Sequence, residues 1–247
     1  MDLFSIKNKV IIVTGGNGFL GSQFVPHLES QGATVIVFDT KAAKPVDITS
    51  PEAVKAAVDE VVATHGHIDG LVCAAALDAV PGSAQAQDQF KPYEEFPLAA
   101  WEKEFKVNLT GALVVTQAVA PHLMKQKHGS VVFIASDLAL IGPNNSLYDA
   151  GKFKDIAYVS SKAGLLGLMR SWASYLGPYN VRVNALAPGG MRNTQSDEFA
   201  KKNGALIMLG RMSNKGEYNG VVQYLLSDAA SYMTGSVMTV DGGRTAW

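Results

Sequence analysis

Tyr158 and Lys162 stand four residues apart in a helical pattern and so share one face of a helix. An ammonium held beside a phenol favours the phenolate and draws the tyrosine pKa down, each unit being worth about 1.36 kcal/mol. Such a tyrosine can take a proton from an alcohol or give one to a carbonyl near neutral pH. Ser136, at the end of a candidate strand, can donate a hydrogen bond to the same substrate oxygen and hold it beside the phenol. Tyr148 and Lys152 repeat the spacing and lie nearer to Ser136, but Pro143, Asn144, Asn145 and Gly151 surround them with turn chemistry. Ala163 to Leu176 instead run on as a helix without proline, which selects Tyr158. The competing reading of Tyr158 and Lys162 is an ordinary amphipathic helix pair.

A second constellation handles a phosphate. Val10 to Val13 lead into Thr14-Gly15-Gly16-Asn17-Gly18-Phe19-Leu20-Gly21 and then a helix. Glycines at such a turn let the backbone approach a pyrophosphate and let the helix pack closely, while the helix start offers free N–H groups to the anion. Asp39 ends the next candidate strand, where a carboxylate accepts both ribose hydroxyls and repels a 2′-phosphate. Unit charges about 4 Å apart repel by about 4 kcal/mol at an effective dielectric of about 20. NAD is therefore expected over NADP, with Lys41 and Lys44 close enough to soften the preference.

These residues need a scaffold, and the alternation of short β-branched runs with longer helical patterns supplies one. Strands are expected at Val10 to Thr14, Thr34 to Asp39, Gly70 to Ala74, Ser130 to Ala135, Val181 to Ala187 and Ser236 to Val240. Helices are expected near Phe19 to Ser30, Pro51 to His65, Leu98 to Gln126, Ala157 to Leu176 and Lys215 to Ser227. The pattern predicts an α/β fold, a doubly wound parallel sheet in three layers, with residues 1–247 forming one domain. Three stretches read as long and irregular: Asp78 to Pro97, Asp137 to Asp155, and the chain after Pro188. All follow strands on the carboxyl side of the sheet, where such folds bind ligands.

Composition narrows the function classes. The 247 residues carry 21 Lys+Arg against 22 Asp+Glu, which leaves no basic footprint for nucleic acid or an anionic membrane. Hydrophobic residues at 47% argue for a packed chain and against disorder. The first apolar run stops at Thr14, far short of the roughly 20 residues of a membrane span. Cys73, the single cysteine, reads as an inert buried thiol, and a cytoplasmic location is expected. The five histidines show no metal-ligand spacing, so no metal is expected.

Taken in order, the glycine motif, Val107-Asn108-Leu109-Thr110-Gly111, Ser136, Tyr158-x-x-x-Lys162, Arg182-Val183-Asn184-Ala185-Leu186-Ala187-Pro188-Gly189 and Val240-Asp241-Gly242-Gly243 resemble the short-chain dehydrogenases/reductases across essentially the whole chain. The resemblance implies a Rossmann fold, a nicotinamide cofactor, alcohol–carbonyl chemistry and a homo-oligomer, dimer or tetramer. It implies that Lys162 also holds the nicotinamide ribose and that Asn108 anchors a water in a proton relay to Lys162. It places Gly15, Asn17, Gly18, Phe19, Leu20, Gly21, Asp39, Asp47, Ile48, Ala74, Ala75, Tyr158, Lys162, Pro188, Gly189 and Met191 along the cofactor. Asn193 and Thr194 compete to touch the carboxamide. The family's Asn-Asn-Ala-Gly stands here as Cys73-Ala74-Ala75-Ala76, without its usual asparagine bonds. The link from Asp39 to Asp47 is too short for the customary helix, so the chain is expected to enter a short third strand at Asp47-Ile48.

The stretch Asp137 to Asp155 carries Asp137, Asn144, Asn145, Ser146, Tyr148, Lys152 and Lys154, a wall suited to a polyhydroxylated or charged small molecule. With Tyr93 to Trp101 and the ending Asp241 to Trp247, it resembles a branch of the family met in bacterial surface-sugar and nonulosonic acid pathways. Two alternatives compete with a sugar dehydrogenase: a 3-oxoacyl thioester reductase and a non-catalytic dinucleotide-sensing scaffold. A face of Leu165, Leu168, Met169, Trp172 and Leu176 is either a subunit contact or core.

Overall fold

β-branched residues in unbroken apolar runs form strands covered on both sides. In the computed structural model, which describes residues 2–78 and 89–247, these are β1 (Val10–Thr14), β2 (Thr34–Phe38), β3 (Gly70–Cys73), β4 (Gly129–Ile134), β5 (Val181–Pro188) and β6 (Val237–Val240). All pair in parallel in the order β2-β1-β3-β4-β5-β6. Side chains alternate across the sheet with period two. Val10 and Ile12 join Val131 and Phe133 in one core, whereas Ile11 and Val13 join Val132 and Ile134 in the other.

Helices cover both faces, which makes the three layers. On the second core lie α1 (Gly21–Ser30), through Phe24 and Leu28, and α7 (Asn219–Leu226), through Val222 and Leu225. The first core is closed by α2 (Pro51–His65), by α3 (Leu98–Phe105) running through a π-helical turn (Lys106–Gly111) into α4 (Ala112–Gln126), and by α5 (Ile156–Leu176). By length and hydropathy the stretch Leu98–Gln126 would cross a membrane. Its Val115, Val119 and Leu123 are instead inserted in the core. Ser50 and Gly66 bound α2 as cap residues: the Ser50 hydroxyl accepts the Ala53 N–H, and Gly66 takes φ +81°.

The expected third strand at Asp47-Ile48 does not form. The Ala42 and Val46 N–H groups both donate to the Asp39 carbonyl, turning the link back on itself, and Asp47 Oδ1 accepts from the Thr49 N–H and hydroxyl. β2 is consequently the sheet's edge. Ile48 packs on the first core, where Gly111 in the π-helical turn gives it room: a Cβ there would lie 2.6 Å from Ile48 Cδ1.

A helix the apolar pattern did not mark, α6 (Asp197–Gly204), follows Pro188. Only its ends carried a signal. Ser196 caps it through the Phe199 N–H, Asp197 and Glu198 occupy the first turn, and Lys201 and Lys202 the last. The face of Leu165, Leu168, Met169, Trp172 and Leu176 is core: Leu165, Met169 and Leu176 are buried and the other two pack against them. Of the stretch from Asp78 to Pro97, residues 79–88 lie outside the described residues.

Candidate active site

The chain reverses its winding between β1 and β3, and the crevice opens there. Gly15, at φ +65°, leaves β1 in a turn where a Cβ would fall 2.6 Å from the Ala75 Cα, so only glycine fits there. Thr14 Oγ1 accepts the N–H groups of Ala74 and Ala75 at 3.1 and 3.2 Å. No side chain caps the start of α1; the Ser22 N–H turns back to the Gly18 carbonyl and the Gln23 N–H to the Leu20 carbonyl. Asp39 Oδ2 accepts the Asn17 N–H at 3.1 Å and Oδ1 the Lys41 N–H at 2.8 Å, fixing the carboxylate at the cavity wall.

The cavity measures about 1330 Å³. A typical small-molecule pocket is about 300–1,000 Å³, so this one has room for a dinucleotide and a second ligand. Of the residues expected along the cofactor, all but Gly21 line it. Gly21 is buried behind Gly15, where a Cβ would collide with the Gly15 carbonyl. Its contribution is helix packing. Asn193 and Thr194 both line the wall.

At the other end β4 and α5 bring the reactive groups together. Ser136 follows β4, and Tyr158 and Lys162 lie in the first turns of α5, whose cap Asp155 accepts the Ala157 and Tyr158 N–H groups at 2.8 and 3.1 Å. Ser136 and Tyr158 both line the cavity, where the Ser136 hydroxyl favours the phenolate, and Ser136 Oγ donates to Asp137 Oδ1 at 2.9 Å. Lys162 Nζ donates to the Ile134 carbonyl at 2.7 Å, and burial lowers its pKa to about 8. Burial also holds the Tyr158 phenol well above its ordinary value, followed by the negative charge of Asp78. The cation opposing this is Lys154, where the sequence had pointed to Lys162. Asn108 does not line the cavity; its Nδ2 donates to Ser161 Oγ at 3.1 Å, one residue before Lys162. Tyr148 lies on the cavity wall between the rings of Phe90 and Phe199, and Lys152 pairs with Asp149 out in solvent.

Three buried or half-buried acidic pairings escaped the sequence reading. Lys154 meets Asp78 at 2.6 Å, and Arg244 meets Asp137 at 3.2 Å with both side chains almost wholly buried. Glu104, from α3, lies against Asp155, and each has a buried carboxylate oxygen that finds no hydrogen-bond donor among the described residues. Burial and that neighbour raise Glu104 to about 8, so it is a protonated acid beneath the cap of α5 at neutral pH. The only local hint was Lys154 itself, four residues before Tyr158; pairings across 51 or more positions leave no trace in spacing.

A family model described as Enoyl-(Acyl carrier protein) reductase matches residues 20–245. The chain belongs to the short-chain dehydrogenase/reductase family. The 3-oxoacyl-(acyl-carrier-protein) reductase FabG of Thermotoga maritima is 31% identical over 96% of this chain and 98% of its own length. The sorbitol-6-phosphate 2-dehydrogenase of Klebsiella pneumoniae is 31% identical over 98% and 97%. An NAD+-bound xylitol dehydrogenase superposes with a TM-score of 0.83 at 28% identity, covering 96% of this chain and 99% of that one. This short-chain dehydrogenase/reductase is an enzyme, an NAD(P)-dependent oxidoreductase.

Proposed function

We propose that the enzyme interconverts an alcohol and its ketone or aldehyde on a polar, sugar-like substrate, with NAD as the preferred cofactor. The observation that carries this is the convergence of Ser136, Tyr158 and Lys162 at one end of a cavity whose other end is the Gly15 turn and Asp39. The nicotinamide, when bound, supplies or takes up the hydride. Tyr158 moves the proton: its phenol gives one to the carbonyl oxygen in reduction and takes it back in oxidation. Ser136 turns its hydroxyl from Asp137 to the substrate oxygen and holds it beside the phenol. Lys162 holds the ribose, and Asn108 anchors the relay that restores the proton.

Asp39 supports NAD, since a fixed carboxylate repels a 2′-phosphate. The nearby Lys44 is engaged with Glu60, which weakens it as a phosphate ligand. Asp78, Lys154, Asp137, Arg244 and Asn144 around the substrate end favour hydroxyls or charge over an acyl chain, as would suit a surface-sugar pathway. Reduction of a 3-oxoacyl thioester is the second reading, favoured by the FabG relative. The whole chain would act as one dinucleotide-binding domain, in the cytoplasm and as a homo-oligomer.

A panel of sugar alcohols, keto sugars and their acids with NAD+ and NADH, run beside acyl-carrier thioesters, tests this. Turnover of a polyhydroxylated compound is expected, and activity confined to thioesters refutes it. Light scattering reads the oligomer.

A further inference from the structure

The ring of Tyr158 carries a cation on its face. Lys154 Nζ lies 4.3 Å from the ring centroid, nearer than Lys162 Nζ at 5.7 Å. The Lys154 side chain is 9% exposed, and its ammonium donates to Asp78 Oδ1 at 2.6 Å. Both residues are pinned through their backbones. Asn145 Oδ1 accepts the Lys154 N–H at 2.9 Å, so the enlarged segment after β4 holds this lysine in place. Asp78 follows Leu77, whose N–H and carbonyl are both bonded by the Asn108 side chain.

We propose that Lys154 and Asp78 form a positioning pair that sets, in opposite directions, the pH at which Tyr158 exchanges its proton. The idea rests on Tyr158 being the acid-base group. A cation over the ring stabilises the phenolate, and a carboxylate beside that cation offsets part of the effect. Other charged or titratable groups facing the phenol are Lys162 on its own helix, Asp137 after β4 with Arg244 behind it, and Tyr148 beside Lys154. None is changed by the substitutions below. A tie that merely fastened two loops would be broken alike from either end, whereas an electrostatic setting splits the two ends by sign.

The experiment is the pH profile of kcat/KM for alcohol oxidation, at saturating NAD+, with the best substrate from the panel. With NAD+ bound, the positive charge of the oxidised nicotinamide would oppose the burial that raises the phenol, and rate rises with pH as Tyr158 loses its proton. Lys154→Met is expected to move that rise upward by about one unit, a loss of about tenfold below it, and Asp78→Asn to move it downward. Lys154→Arg, which keeps the charge, should stay near the parent profile. Shifts of the same sign, or lower rates with an unmoved profile, overturn the pair's role. If Lys154→Met does not fold, as judged by NADH fluorescence, Asp78→Asn must still move the rise downward on its own. Tyr158→Phe separates the two layers of the argument. If it keeps turnover, the reading of the site falls. If it is inactive and the profiles do not split, only the pair falls.

Discussion

Asn108 holds Leu77 by both of its backbone groups: Oδ1 accepts the Leu77 N–H at 2.7 Å and Nδ2 donates to the Leu77 carbonyl at 3.0 Å. An asparagine in a helix interior is a poor helix former, and here the helix widens into a π turn around it. Replacing it with the isosteric leucine leaves those half-buried groups without their partner, at up to about 1–3 kcal/mol for each. Asn108→Leu should therefore lower Tm by several degrees, given about 2–4 °C per kcal/mol at this size. Calorimetry showing an unchanged Tm would refute the clamp.

Tyr158 and Tyr148 offer the same spacing to a lysine but different surroundings. Tyr158→Phe should cost at least about a hundredfold in turnover while NADH still binds, since positioned acid–base groups contribute about 10²–10⁴. Tyr148→Phe keeps the ring between Phe90 and Phe199 and should retain measurable turnover. Steady-state rates with both variants decide it, and the reverse ranking would move the proton chemistry to the loop.

Asp39 faces the cavity with both oxygens already holding N–H groups. Asp39→Asn keeps the shape and removes the charge. Use of NADP relative to NAD should rise by tenfold or more, the equivalent of about 1.4 kcal/mol out of an estimated repulsion of about 4. Paired kcat/KM values for the two cofactors measure it, and an unchanged ratio would show that Asp39 does not read the ribose.

Glu104 adds a pH dependence to stability. Its folded pKa of about 8 stands above its ordinary 4.5, so the folded state holds the extra proton between those values. Stability from this group is full below about 4.5 and is lost as pH rises through about 8. Glu104→Gln stays neutral and should flatten that decline, with its advantage over the parent greatest near pH 9. Melting curves across the range report it, and parallel slopes would mean that Glu104 ionises freely.

The sheet and the helix that carries Tyr158 were legible because their signals are local. Val10 to Val13 announce a covered strand, Ser50-Pro51 and Gly66 announce the ends of a helix, and Tyr158 sits four residues from Lys162. The third strand misled because a link too short for a helix was taken to imply a strand, whereas its Ala42 and Val46 amides turn back to bond the Asp39 carbonyl. The ion pairs of Asp78 with Lys154 and Asp137 with Arg244 were hidden for another reason. Each joins segments distant in sequence, and a lone charged residue in a loop reads as solvated until the fold buries it.

With no strand outside β2 among the described residues, the carboxylate proposed to meet the nucleotide stands on the rim of the molecule, beside a link whose Thr40 and Lys41 are exposed. Substitutions at Thr40 and Lys41 disturb no packed neighbour, whereas Val46 at the far end of the link is buried in the first core. Coenzyme choice is thereby uncoupled from the rest of the architecture, and an engineer or a lineage can retune it there without reworking the catalytic end.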